Sequence, residues 1–130
     1  MIKSIDDFKP NFSDTEKLIE LFGEDAKAIA KLLNDGYRAD IKTTQFRQFY
    51  EKILELNDKA QGLSEKDFKI KVLPFVKLLN SKVKYSKSRR HCGEVFETMM
   101  ENSIDAVDSA EKLQNFKFFM EALIGYLPKN

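Results

Sequence analysis

From Leu18 to Leu127 apolar side chains recur three or four residues apart, in runs divided by cap and turn residues. That period belongs to the α-helix, and so regular a succession of stripes leaves little room for any other fold. Ser13-Asp14-Thr15-Glu16 matches a capping box, and Leu18, Phe22, Ala26, Ile29 and Leu33 follow on one face. Gly23 is placed to divide this stretch into two short helices, and Asn34-Asp35-Gly36 supplies a stop. Thr43 or Thr44 can cap the next helix, whose stripe is Phe46, Phe49, Tyr50, Ile53 and Leu54, ending near Gly62. Residues 1–12, with Pro10 among them, read as an irregular lead-in.

Ser64 and Asp67 mark a further start, and Phe68, Val72, Phe75, Leu79 and Val83 make its face. Phe68-Lys69-Ile70-Lys71-Val72 also alternates like a strand, and Pro74 costs about 3 kcal/mol inside a helix. No other segment offers a partner strand, so the reading is a helix kinked or starting late near Pro74. Val95, Phe96, Met99, Met100, Ser103, Ile104 and Val107 form the next stripe. Asp108 and Glu111 form a capping-box pattern before Leu113, Phe116, Met120, Leu123 and Leu127, and Pro128 ends the last helix. With 130 residues, 42% of them apolar, the expectation is one all-α domain over 1–130, a bundle of about five helices. Eleven Phe and no Trp mark a packed interior with few side-chain polar atoms to satisfy.

The residues that do chemistry are scarce. One cysteine, Cys92, forms no internal disulfide and fits a reducing compartment. One histidine, His91, is its neighbour; on a helix the two point about 100° apart and cannot act as base and nucleophile for each other. A zinc site needs three or four ligands that this chain does not gather in sequence. Glu94, Glu97 and Glu101 share a helix face, which is ordinarily a solvated one. The expectation is a protein that is not an enzyme, takes no cofactor or metal, crosses no membrane and works in the cytoplasm.

Charge is informative only in its distribution. The net is +1, yet no Asp or Glu occurs from Phe68 to Gly93, where eight cations stand. The other 14 Lys and Arg share the rest of the chain with all 21 acids, a net of −7. Such segregation concerns the binding of anions. On a helical wheel Lys71, Leu78, Lys82, Tyr85 and Arg89 fall on one flank of the apolar stripe, with Lys77 and Lys84 on the far side. Lys71 to Arg89 would span about 27 Å of unbroken helix at about 1.5 Å per residue. Cations in line can track phosphates, and a tyrosine among them offers a ring for stacking. The plainer alternative is a solvated face pairing with acids of neighbouring helices.

Three stretches carry a resemblance. Thr43-Thr44-Gln45-Phe46-Arg47-Gln48-Phe49-Tyr50 resembles the Thr/Ser-Gln-hydrophobic-Arg-x-Phe-Tyr segment of the small helical subunit of type III-A CRISPR effectors, the Csm complex. Leu73 to Arg89 resembles that family's Leu-rich segment ending in Lys-x-x-Tyr-x-x-x-Arg, and Phe116 to Tyr126 its closing aromatic helix. The stretches occur in family order. The resemblance implies a non-catalytic subunit, stacked with copies of itself along a filament or paired as a homodimer, beside the large subunit and the backbone subunits. Its expected partners are crRNA and target RNA, held without regard to sequence because phosphate contacts carry none.

The resemblance carries over Arg47, Lys82, Tyr85 and Arg89 as RNA-binding residues, and the charge argument adds Lys77, Lys84 and Arg90. Gln48 stands where the family commonly has a basic residue, and Gly125 where it usually has Ala. The alternative function is a helical protein–protein module whose basic face docks an acidic partner.

Overall fold

The structure is a computed structural model that describes residues 2–34 and 39–128. Among these residues seven α-helices line up as five rods. Helix α1 (Thr15–Glu20) runs through a π-helical turn (Leu21–Asp25) into α2 (Ala26–Leu33). Helix α3 spans Thr43–Ala60; α4 (Glu65–Lys71) and α5 (Leu73–Ser88) meet at Val72; α6 spans Glu94–Asp105 and α7 Ala110–Tyr126. Described residues pair as β only at two isolated bridges, Asn34 with Ala39 and Ile41 with Cys92. The all-α expectation is met, and the alternating segment 68–72 is helical apart from the break at Val72.

The starts differ in detail from the sequence reading. Asp14, not Ser13, caps α1, accepting from the N–H groups of Glu16 and Lys17 at 2.9 and 3.4 Å, while Ser13 donates its own N–H to Asn11. Ser109, not Asp108, caps α7, and Asp108 instead pairs with Lys112 at 2.9 Å. Neither Thr43 nor Thr44 caps α3; the Thr43 hydroxyl donates to the Pro128 carbonyl at 3.0 Å. Gly23 does not split its helix, because the π turn around it keeps the backbone helical. Asn34 ends α2, while Asp35 and Gly36 of the expected stop lie outside the described residues. Pro74 sits in the first turn of α5, where its missing N–H has no intrahelical partner to lose.

Helix α7 is the central rod, packing against α2 and α3. Seven of the eleven Phe are fully buried, and several stack around it: Phe8 on Phe119 at 5.4 Å and Phe12 near Phe116 at 5.5 Å. The lead-in is therefore anchored, although its only regular piece is a 3-10 turn at Ile5–Asp7. Asn102 and Asn115 donate to the Phe8 and Phe12 carbonyls at 3.0 and 2.6 Å, satisfying backbone that the buried rings draw inward. Tyr50 on α3 donates to Glu121 on α7 at 2.7 Å, and Lys117 holds the same carboxylate at 3.2 Å.

Helix α5 lies at the edge, against α6 and, more lightly, α3. It buries Val76, Leu79, Val83 and Ser86, with Val72 before it. Each fully buried aliphatic side chain stabilises by about 1.5–3 kcal/mol. Phe75, expected on this inner face, is 54% exposed; Val76 takes its place because 72, 76, 79, 83 and 86 step by four and three. Helix α6 starts at Glu94 with its N–H groups served from another segment: the Asp40 carboxylate accepts from Val95 at 3.3 Å and Phe96 at 2.7 Å.

Replacement Asp40→Ala should cost about 1–2 kcal/mol by urea unfolding, as loss of a helix cap does. Burial and the bond to Glu121 push the Tyr50 hydroxyl up to about 12. Unfolding releases that constraint, so stability should fall as pH rises from about 10 towards 12. Thermal melts across this window should show the loss, and Tyr50→Phe should flatten it.

Candidate nucleic-acid interface

Because α5 buries one face against α6 and α3, its remaining residues divide into two flanks. Lys77 and Lys84 stand on the α6 flank. Lys77 donates to the Ile104 carbonyl at 2.8 Å, satisfying one of the last backbone acceptors of α6. Lys84 lies 3.3 Å from Glu97 and 3.2 Å from Glu101, and bonds to Glu101 first and Glu97 second hold its ammonium above the ordinary lysine range. These two cations are engaged within the molecule, and Lys84 has two of the acids read as a solvated face for its partners.

The opposite flank carries Phe75, Leu78, Lys82, Tyr85 and Arg89, all exposed. The Arg89 guanidinium lies over the Tyr85 ring at 5.1 Å from its centroid, and Tyr85 is 58% exposed. Neither Lys82 nor Arg89 joins an ion pair among the described residues. Sequence reasoning extended this flank to Lys71, but the break at Val72 assigns Lys71 to α4. The free edge is accordingly shorter than a continuous helix would make it.

The α5 edge does not stand alone. With α3 it frames an open cleft of about 430 Å³, lined by Gln45, Gln48, Phe49 and Lys52 on one side and by Ser81, Lys82, Tyr85 and Ser86 on the other. Phe49 is nearly buried at its floor. Lys52 and Lys82 continue into a smaller groove beside Glu55, Phe75 and Leu78. Lys52 was missed in the sequence, although it follows Gln45 and Gln48 at helical steps of seven and four. Arg47, exposed on α3, is not a cleft residue; it lies roughly 150° around the helix from Gln45 and Lys52.

Helix α5 ends in a turn of its own. Arg90 has φ of 62°, its N–H donates to the Lys87 carbonyl at 3.1 Å, and the His91 N–H donates to Ser86 at 2.8 Å. This pair of bonds is the Schellman pattern, whose left-handed position glycine fills most easily. Arg90 follows Arg89 and is exposed. Beyond the turn His91 is exposed, whereas Cys92 is buried and its thiol is pushed up to about 11 by burial, then by the Asp40 charge. A thiol so held is a poor nucleophile. No group of three or more metal-binding side chains occurs among the described residues.

A basic, tyrosine-bearing edge on an all-helical bundle is one side of the case; the other is direct comparison. The family model Csm2 Type III-A matches residues 16–127. The chain belongs to this Csm2 family. It is a small subunit of the type III-A CRISPR effector, the Csm complex, as the three motif stretches implied. Neither curated proteins nor solved structures yield a match. The Csm2 match runs from Glu16 in α1 past the end of α7, so the lead-in with Phe8 and Phe12 lies outside it. No helix among the described residues is long and apolar enough to cross a membrane.

Arg90→Gly should raise stability by about 1 kcal/mol in urea unfolding, by removing a Cβ from a left-handed position. The far-ultraviolet circular dichroism spectrum should stay the same.

Proposed function

We propose that this Csm2-family chain is a non-catalytic subunit that holds the crRNA–target RNA backbone by the outer edge of α5. Lys82, Tyr85 and Arg89 are the central residues, with Lys52 facing them across the cleft. The observation that carries the proposal is that these three α5 side chains share one exposed edge with no carboxylate partner among the described residues. Arg90 extends the positive end of that edge. Arg47 serves a separate contact on another side of α3. Lys77 and Lys84 have their direct bonds already made on the α6 flank and are not assigned a direct RNA contact.

Phosphate contacts of this kind place a strand without reading it, which suits a complex whose guide varies. A single subunit offers few of them, and stacking of copies beside the large and backbone subunits supplies avidity. The role is structural support of an RNA-guided antiviral effector in the cytoplasm. A second reading rests on Phe75 and Leu78, which are 54% and 51% exposed next to the cations. An apolar strip beside positive charge also suits an acidic protein surface.

The double variant Lys82→Glu with Arg89→Glu should fold normally and lose most affinity for RNA in a shift or fluorescence-anisotropy assay. For the parent protein, affinity for a single strand should fall by about 0.7 log units per tenfold salt for each phosphate neutralised. Unchanged RNA binding by the folded double variant would refute the placement. Binding to heparin without binding to RNA would favour the protein-docking reading.

A further inference from the structure

We propose that the cleft between α3 and α5 receives a single unpaired nucleobase, turned out of the RNA strand whose backbone lies along α5. This rests on the RNA-binding reading and goes beyond it, because backbone contact alone requires neither a cavity nor an apolar floor. At about 430 Å³ the cleft falls in the size range of small-ligand sites. Its floor is Phe49 and its α5 wall includes Tyr85, so a flat aromatic group meets apolar and π surface on entry.

The polar groups are of a particular kind. Gln45 and Gln48 line the α3 wall with neutral amides, each able to donate and to accept. A phosphate would favour cations at those positions, whereas a base edge presents donors and acceptors together. Because an amide can turn to offer either, the cleft tolerates any of the four bases, in keeping with a variable guide. Ser81 adds a hydroxyl that can serve in both senses. Lys52 and Lys82 line opposite sides of the cleft, positioned to neutralise the phosphates on either side of the extruded nucleotide. Arg89 over Tyr85 extends that stacking platform towards the end of α5.

The test uses the full chain and three RNAs of one length: a fully paired duplex, the same duplex with one bulged nucleotide, and the bulge with an abasic residue. The bulged base should bind about tenfold more tightly than its abasic counterpart, the range that stacking of one base supplies. In a nitrogen-15 NMR titration, which detects weak binding, the side-chain amide signals of Gln45 and Gln48 should shift with the bulged base and not with the abasic bulge. Gln45→Ala with Gln48→Ala should reduce the tenfold difference to a few-fold, the remainder being stacking on the intact Phe49 and Tyr85, while leaving affinity for the paired duplex unchanged. Equal binding of base and abasic bulges, with salt-dependent affinity for all three RNAs, overturns the base site and leaves the backbone reading in place. Absence of binding to every RNA overturns both.

Discussion

The rotation of α5 about its own axis sets what this protein presents to its surroundings. Val76, Leu79 and Val83 are buried, while Lys77 bonds the Ile104 carbonyl and Lys84 bridges Glu97 and Glu101. Apolar burial supplies most of the energy, and the exposed ion pairs contribute little to it. The polar contacts still matter because they are directional: a turn of one residue, about 100°, would carry both lysines away from α6. Holding them there leaves Lys82, Tyr85 and Arg89 on the outside.

The same arrangement divides the positive charge into two populations. Cations against α6 are answered by carboxylates and a carbonyl, and cations on the outer edge are not. The positive block is therefore only partly available for binding, and its effective charge is below the formal +8 that the sequence assigns to it. What remains is concentrated beside an aromatic ring and a cleft, where it can act on a polyanion at close range. The rest of the bundle is built on Phe stacking around α7, remote in construction from this edge. The charged residues of the edge lie outside the core, which permits charge reversal there without unfolding, whereas Phe49 belongs to both core and cleft.

Individual residues show how far local pattern can be trusted. Ser64 caps α4 as its position before Asp67 indicates, and Pro74 marks the late start of α5. By contrast Phe75 looked like a core residue because it is large and correctly spaced, but it points outward and Val76 takes the inward place, in step with Leu79, Val83 and Ser86. Ser13 and Asp108 looked like caps, while the neighbouring Asp14 and Ser109 hold those positions. Cap choice is a competition among adjacent polar residues, decided by where packing lets the first turn begin. The family was legible from the three motif stretches because a family pattern records side chains whatever their partners.

By itself the sequence determined the helical class, the approximate number of rods, the Csm family and the helix that carries the positive edge. Each of these follows from periodicity, composition or motifs read along the chain without knowledge of which segments touch. Only the tertiary structure decided which lysines are free, because Lys77 and Lys84 meet partners 27 and 13–17 residues away on α6. It also joined Gln45, Gln48 and Lys52 to Ser81, Lys82 and Tyr85 around one cleft. The physical reason is that a cleft exists only between two helices, and its walls are set by long-range packing that no single stretch of chain encodes.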